Sequence, residues 1–320
     1  YKIYMKDLII IGASAAGCSA AIYAARRNLN FEIISKDVGG EVSLSGKVNN
    51  WPGIIETSGF ALAQTFRKHV ESYGIKFKEG FEVTEIKPEK NYYIVSAKNF
   101  NGEEQIIETK AIIIATGIHP RSLNLPGEEE FRGKGITYCT VCDGPLFRGK
   151  TTVTIGAGNA ALESALMMSE LANKVYLLTL HSNTPENKSG FPSGEDILIE
   201  KVKTSPNIEI IYNAKTEEIT GEQFVTGIKY KDLLTEEQKN LAVQGVMVHI
   251  GMVPNSNLIN NIEKNPAGEI IIDQKCQTNL SGIFAAGDVT NIPFKQIAIA
   301  AGQGVTAALS AIEYINKWKN

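Results

Sequence analysis

Cysteine is scarce in this 320-residue chain, with four residues at positions 18, 139, 142 and 276. So few thiols, so unevenly spaced, exclude the disulfide framework of a small secreted domain. Histidine is equally sparse. His69, His119, His181 and His249 stand singly, so the one CxxC pair, Cys139 and Cys142, lacks the second half that a structural zinc site needs. A redox role for the pair is therefore expected, with no metal. An excess of one charge is also missing: 32 Lys and Arg against 35 Asp and Glu leave a net charge of −3 and a pI near 5.9. No basic field is available to hold a nucleic-acid backbone. No uninterrupted apolar run approaches the roughly 18 residues of a membrane span, and the stretch Leu8 to Ile11 leads into a glycine turn, not a cleavage site. The expectation is a cytoplasmic protein with neither membrane nor nucleic acid as partner. The residues before Met5 precede the regular pattern, which starts at Lys6, and are read as foreign to the fold.

What is present is a repeated βαβ pattern. The apolar run LIII is followed by the small-residue turn GASAAG (12–17), a helical stretch through Arg27 and the strand FEIIS. At Thr151 the pattern recurs as TTVTI, the turn GAGNAA (156–161), a helix through about Leu171 and the strand KVYLLTL. Two apolar strands ending in glycine, AIIIATG (111–117) and GIFAAGD (282–288), deliver backbone toward a ligand, and the Ala-rich stretch 296–315 has helical spacing. These features give an α/β fold of two Rossmann-like nucleotide-binding domains of the three-layer ββα kind, the second inserted into the first. Breaks at Ile118 to Pro120 and around Gly245 to Pro254 assign 1–117 and 246–320 to the outer domain and 118–245 to the inserted one. Antiparallel strands are expected at Tyr92 to Ile107 and, in the inserted domain, at IEIIY and GIKYKDL between Thr204 and Leu241.

A small-residue turn between strand and helix lets backbone N–H groups and the positive end of the helix dipole meet a pyrophosphate. Gly12, Ser14, Ala15 and Ala16 occupy that turn, with Ser14 where a GxGxxG motif has its middle glycine; its hydroxyl is small and able to donate a hydrogen bond. Together GGEVSLSGKVNNWPGI (39–54), IIIATG, GIFAAGDV and KQIAIAAGQG (295–304) resemble the FAD domain of low-molecular-weight thioredoxin reductases, and the resemblance covers nearly the whole chain. It implies FAD, lined by Gly40, Glu41, Asn50 and Val83 and by the strand-end residues Thr116, Gly117 and Gly287. Asp288 would hold the ribityl and phosphate region, while Lys295, Gln296 and Ile297 meet the isoalloxazine at a helix start. Ordinary packing would account for Asn50 or Val83 taken alone.

CTVCDG places two thiols one helical turn apart with a carboxyl next to them. The resemblance implies that Cys139 attacks the partner disulfide, that Cys142 exchanges electrons with the flavin, and that Asp143 carries the proton. Asp143 could equally cap the following turn, and both roles can coexist. The run CTVCDGPLFRGK is also similar to the alkyl hydroperoxide reductase flavoprotein, which carries thioredoxin-like domains upstream of its FAD domain. This chain starts at the FAD strand, so a separate thioredoxin or thioredoxin-like protein is the expected electron acceptor. Relatives of this kind are homodimers and rotate the inserted domain about its linkers, which places hinges at 117–120 and 245–251. Cys18, among alanines, reads as a small core residue and Cys276 as incidental.

The second turn departs from the pattern. GAGNAA keeps its glycines, yet the following strand end reads Leu178, Thr179, Leu180, His181 and Ser182. It offers neither the acid of an NAD site nor the arginines that hold a 2′-phosphate. The polar loop HSNTPENKSGFPSG (181–194) is placed to cover an adenosine. Weak or absent NAD(P)H binding is expected, a divergent working site being the other reading. Reduced ferredoxin is then the first alternative donor, as in ferredoxin-dependent flavin thioredoxin reductases. A ferredoxin–NADP reductase of the same fold and a flavin binder without turnover are the competing classes; the former lack a CxxC, and the latter have no need for Asp143 beside one. Trp318 would either stack on an exposed flavin face or dock on the surface.

Overall fold

The computed structural model describes residues 5–45 and 47–319, so the residues before Met5 lie outside it. The chain divides into two compact units, one reaching to His119 and resuming at Val253, the other spanning Pro120–Met252.

The larger unit is built on a seven-stranded sheet. Lys6–Ala13 lies at its centre, parallel to Phe31–Val38 on one side and to Glu104–Ile114 on the other. A strand with parallel neighbours on both sides and layers on both faces has no polar face, which is why Leu8, Ile9 and Ile10 are all fully buried. Ile283–Ala285 also pairs parallel with Glu104–Ile114. The other half of that long strand pairs antiparallel with Tyr93–Asn99, which in turn pairs with Phe81–Pro88. Helices Ala15–Arg26 and Ile297–Lys317 cover one face through Ala20, Ala21, Ala24, Ala307, Ala308 and Ala311. Small side chains let them touch at backbone level: a Cβ on Gly304 would stand 2.0 Å from the Ala16 carbonyl oxygen. Ile297–Lys317 is long and apolar enough to cross a membrane by length and composition, which the interrupted run of its sequence had concealed; here it carries part of the core.

The smaller unit repeats the plan. Ile136–Thr137, Gly245–Val248, Thr151–Ile155, Lys174–Leu178 and Ile208–Ile211 form a parallel five-stranded sheet in that order. Ala214–Gly221, Val225–Asp232 and Gln238–Ala242 form an antiparallel three-stranded sheet. Two expectations are corrected here. Ile208–Ile211 is parallel, because it follows helix Asp196–Thr204 and a helical crossover returns the chain in the same direction. Gly245–Val248 belongs to this unit, wedged between two of its strands, so the chain leaves it only after Met252, and 245–248 is not available as a hinge.

Candidate active site

In the larger unit a cleft of about 990 Å³ opens at the carboxyl ends of the parallel strands. That is the usual place for a ligand in such a sheet, and the size lies at the top of the roughly 300–1,000 Å³ range of cofactor sites. The cleft gathers Gly12, Ser14, Ala15 and Ala16 from the first turn, Gly40 and Glu41, Val83, Thr116 and Gly117, Gly287 and Asp288, and Lys295 and Ile297. Asn50 and Gln296 are not part of its lining; the Asn50 amide donates to Gln296 Oε1 at 3.2 Å, so the two side chains meet each other.

The turn is dictated by backbone. Gly12 has φ +104°, and a Cβ there would lie 2.2 Å from the Ala115 carbonyl oxygen, so no other residue fits between the two central strands. Ser14 stands at the N-cap of Ala15–Arg26, but its hydroxyl donates to the Gly39 carbonyl at 2.6 Å and makes no cap bond. The expected use of that hydroxyl toward a ligand is thus replaced by a tie to the next loop, and the helix N-terminus faces the cleft with no acid or side-chain cap in its first turn. Uncapped N–H groups and a helix dipole are what a pyrophosphate requires.

Two groups in the cleft were missed. Asp37, at the end of the second strand, lines it and accepts from Gly40 N–H at 2.9 Å. It follows Gly17 by twenty positions, the interval at which a dinucleotide fold places its ribose acid, so the signal was present. Asn255 left no such signal. It is locked to the Thr116–Gly117 strand end: its amide donates to Thr116 O at 2.8 Å, the Thr116 hydroxyl donates to Asn255 O at 2.7 Å, and Asn255 N–H donates to Gly117 O at 3.0 Å. Its Oδ1 therefore faces Nδ1 of His119 at 2.6 Å, and the network assigns that imidazole proton to Nδ1.

Electrostatically the cleft carries more acid than base, with Asp37, Glu41, Glu82 and Asp288 against Lys36 and Lys295. Burial raises the carboxyl of Asp288, with Lys295 opposing; burial also raises Glu41, helped by Asp37 and opposed by His119. Lys295 is occupied, since its Nζ donates to Thr290 O at 2.6 Å and pairs with Glu269 at 2.7 Å. What the cleft end offers a ring system is accordingly the start of helix Ile297–Lys317, where Gln296 makes no side-chain cap bond. A bare helix N-terminus at each end, left-handed Gly117 facing open space, left-handed Gly40 against Ser14, and a ribose-level acid fit FAD. Bound there, FAD would supply two-electron exchange with a dithiol and one-electron exchange with a carrier.

In the smaller unit Cys139 and Cys142 are joined as a disulfide, with Cα atoms 5.3 Å apart. Cys139 is half-buried and Cys142 exposed. The short helix Thr140–Asp143 holds the pair: Cys142 and Asp143 N–H groups donate to Cys139 O, each at 3.1 Å. Asp143 is oriented by Thr137, whose hydroxyl donates to Oδ2 at 2.6 Å and accepts from Cys139 N–H at 3.0 Å. A carboxylate two bonds of hydroxyl and backbone from a cysteine can take up or return a thiol proton. On the other side of the helix the Thr140 hydroxyl meets Ser164 Oγ and His249 Nε2. Burial pushes His249 down to about 4, so its imidazole is neutral.

The second dinucleotide turn is closed by its own chain. Gly158 forms a β-bridge with Ser193, and Asn159, first residue of helix Asn159–Ser169, exchanges two hydrogen bonds of 2.8 Å with Glu195. Phe191 anchors the loop, with no exposed surface, beside Leu162 and Ile199. At the strand end Thr179 is buried and donates to Gly190 O at 2.7 Å. Elsewhere, Trp318 lies outside the cleft lining; its indole donates to Asn91 O at 2.7 Å and Lys110 sits over its ring. Cys18 is a core residue as expected. Cys276 is buried as well, with only 2% of its surface exposed, despite its polar neighbours in sequence.

Comparison with known proteins agrees with both halves of this geometry. The family model for pyridine nucleotide-disulphide oxidoreductases matches residues 6–304. An alkyl hydroperoxide reductase subunit, that of Escherichia coli, is 36% identical over 318 residues, 98% of this chain and 59% of that protein, so the chain spans little more than half of this relative's length. Among solved structures, thioredoxin reductase from Lactococcus lactis superposes with a TM-score of 0.81 at 31% identity, covering 98% of this chain and 99% of that one. A ferredoxin-flavin thioredoxin reductase from Clostridium acetobutylicum superposes with a TM-score of 0.54 at 31% identity, covering 98% of each. A Rossmann-type cleft fit for a flavin, a second such unit carrying a CxxC disulfide, and a family match over most of the length lead to one conclusion: the chain belongs to the pyridine nucleotide-disulphide oxidoreductase family, as a flavin disulfide oxidoreductase whose redox pair is Cys139–Cys142.

Proposed function

We propose that this chain, with FAD bound, reduces the disulfide of a thioredoxin or thioredoxin-like protein through Cys139 and Cys142, and that it draws its electrons from reduced ferredoxin and not from NAD(P)H. The observation that carries the donor half is the closure of the GAGNAA turn by Ser193 and Glu195. A pyrophosphate needs the N–H groups and dipole at the start of helix Asn159–Ser169, and there the chain presents its own carboxylate. The likeness to a ferredoxin-flavin thioredoxin reductase supports the choice of a one-electron carrier.

On the exit side, Val141 and Leu146 beside the disulfide are 47% and 69% exposed, an apolar rim suited to a protein acceptor rather than a small thiol. Cys139 thiolate attacks the partner disulfide to form a mixed disulfide; Cys142 thiolate then displaces the reduced partner and restores Cys139–Cys142. Two electrons and two protons leave with the partner, Asp143 serving as the proton carrier. Exposure by itself would select Cys142 as the attacking sulfur, so the assignment of Cys139 rests on the family resemblance. Buried Cys18 and Cys276 remain as free thiols, in keeping with a reducing cytoplasm. The intact turn glycines and the likeness to alkyl hydroperoxide reductase favour the competing reading, a nicotinamide-driven enzyme.

The test is steady-state reduction of a thioredoxin disulfide by the flavin-loaded protein. Reduced ferredoxin is expected to sustain it and NADPH or NADH to fail; sustained turnover with either nicotinamide nucleotide would select the competing reading.

A further inference from the structure

Thr140 lies between the two cysteines and is buried, with 4% of its surface exposed. Its hydroxyl stands 2.6 Å from Ser164 Oγ and 2.8 Å from His249 Nε2. One hydroxyl proton cannot serve both, so Thr140 accepts from at least one of the two neighbours. Either way the residue is tied to two separate elements, helix Asn159–Ser169 through Ser164 and the end of strand Gly245–Val248 through His249.

His249 is itself fixed by backbone. Its N–H donates to Ile155 O at 2.8 Å, extending the pairing of the two central strands, and its carbonyl oxygen lies 2.1 Å from where a Cβ on Gly156 would be. The imidazole thus starts from the paired ends of strands Gly245–Val248 and Thr151–Ile155 and ends on the redox turn. Being neutral, it offers Nε2 as either acceptor or donor, whichever the Thr140–Ser164 pair leaves open.

We propose that His249 is a positioning residue for the Cys139–Cys142 couple, fixing Thr140 and through it the helical turn that keeps the two sulfurs within bonding reach. This inference rests on the disulfide being the redox pair, and on neither the donor nor the acceptor. Reduction of the couple consumes two electrons and two protons and separates the sulfurs. The more firmly the turn holds them, the higher their effective concentration for each other, the more stable the disulfide, and the lower the potential of the couple. A low potential makes the dithiol the stronger reductant toward a partner.

The test is redox equilibration of the full-length, flavin-loaded protein in dithiothreitol buffers, counting free thiols by alkylation. The exchange balances as protein disulfide plus reduced dithiothreitol giving protein dithiol plus oxidised dithiothreitol. His249→Ala and Thr140→Val are each expected to shift this equilibrium about threefold toward the protein dithiol, ~14 mV at 29.6 mV per tenfold. The double variant should shift no further than either single one, since both remove the same tie. Thr140→Ser keeps the hydroxyl and His249→Gln keeps a side-chain amide in its place, so both are expected at the parent value. Should His249→Ala not fold, the Val and Ser variants at 140 decide the matter. An unchanged equilibrium in Thr140→Val, or shifts that add in the double variant, would overturn the proposal. A disulfide that fails to open in any buffer would instead contradict the redox assignment itself.

Discussion

Asn159 and Glu195 hold each other twice, the Asn159 amide donating to the Glu195 carboxylate and the Glu195 N–H donating to the Asn159 amide oxygen, both at 2.8 Å. The pair sits at the N-terminus of the helix that would receive a dinucleotide phosphate in the smaller unit. A carboxylate at that point is favoured by the helix dipole and at the same time repels a second anion. The loop behind it is part of the core, because Phe191 is fully buried.

Burial of Phe191 makes the loop a built-in plug and not a loose lid. Phe191→Ala is expected to destabilise the protein by about 3–5 kcal/mol, the range for deleting a buried phenyl ring. Glu195→Ala, at an exposed position, should move the urea midpoint only slightly. Urea unfolding of both variants checks the contrast; equal, small effects would mean that the loop contributes little to the core.

Two glycines of helix Ile297–Lys317 should respond in opposite directions. A Cβ at Gly304 meets the Ala16 carbonyl oxygen at 2.0 Å, so Gly304→Ala must push this helix off Ala15–Arg26 and away from the flavin cleft. A loss of about 1–3 kcal/mol and of bound flavin after purification are expected. Gly302 has nothing within 4 Å of its missing Cβ, and Gly302→Ala should gain about 0.5–1 kcal/mol from helix propensity with flavin content unchanged. Thermal melts and flavin absorbance per chain read both.

Asp288 gives the flavin-free protein a pH dependence of definite sign. Burial raises its carboxyl in the folded state, so between its ordinary range near 3.8 and the raised folded value the unfolded chain ionises first. Stability from this group is therefore present in acid and lost as pH rises through the folded pKa. Asp288→Asn should make the flavin-free protein more stable than the parent at pH 7, with the difference vanishing toward pH 3, as followed by Tm across pH.

The proposed proton carrier, Asp143, can be separated from the sulfurs. Asp143→Asn keeps the Thr137 hydrogen bond but cannot take a proton, and disulfide reduction in the partner is expected to slow by on the order of 10²-fold. Cys142→Ser should leave Cys139 trapped in a stable mixed disulfide with thioredoxin, visible by mass spectrometry. Trapping by Cys139→Ser instead would reverse the assigned order of attack.

The fold was largely legible because its signals are local. LIII, TTVTI and the glycine turns carry strand and turn chemistry within a few residues, and the repeat of the pattern implied two units of one plan. The boundary after residue 245 cuts the strand Gly245–Val248, because a fully apolar strand looks the same in either sheet; only its pairing with Ile136–Thr137 and Thr151–Ile155 decides. The site was legible where family motifs reach it and silent where distant segments meet. Asn255 binds Thr116 across 139 positions, and no spacing rule connects them. Asp37 obeys in the first turn the spacing rule that the second turn breaks. The polar loop 181–194 suggested cover over the adenosine position, but its closure of the turn, its anchor, Phe191, and its clasp, Glu195, emerge only from packing.

The most direct test of the account is anaerobic mixing of the oxidised, flavin-loaded protein with each donor in turn while the flavin absorbance is followed. Reduced ferredoxin should bleach it within the turnover time and open two thiols per chain, while NADPH and NADH leave both flavin and disulfide oxidised. Rapid bleaching by NADPH at low concentration would show that the clasped turn still admits a dinucleotide and would contradict the assignment of the donor.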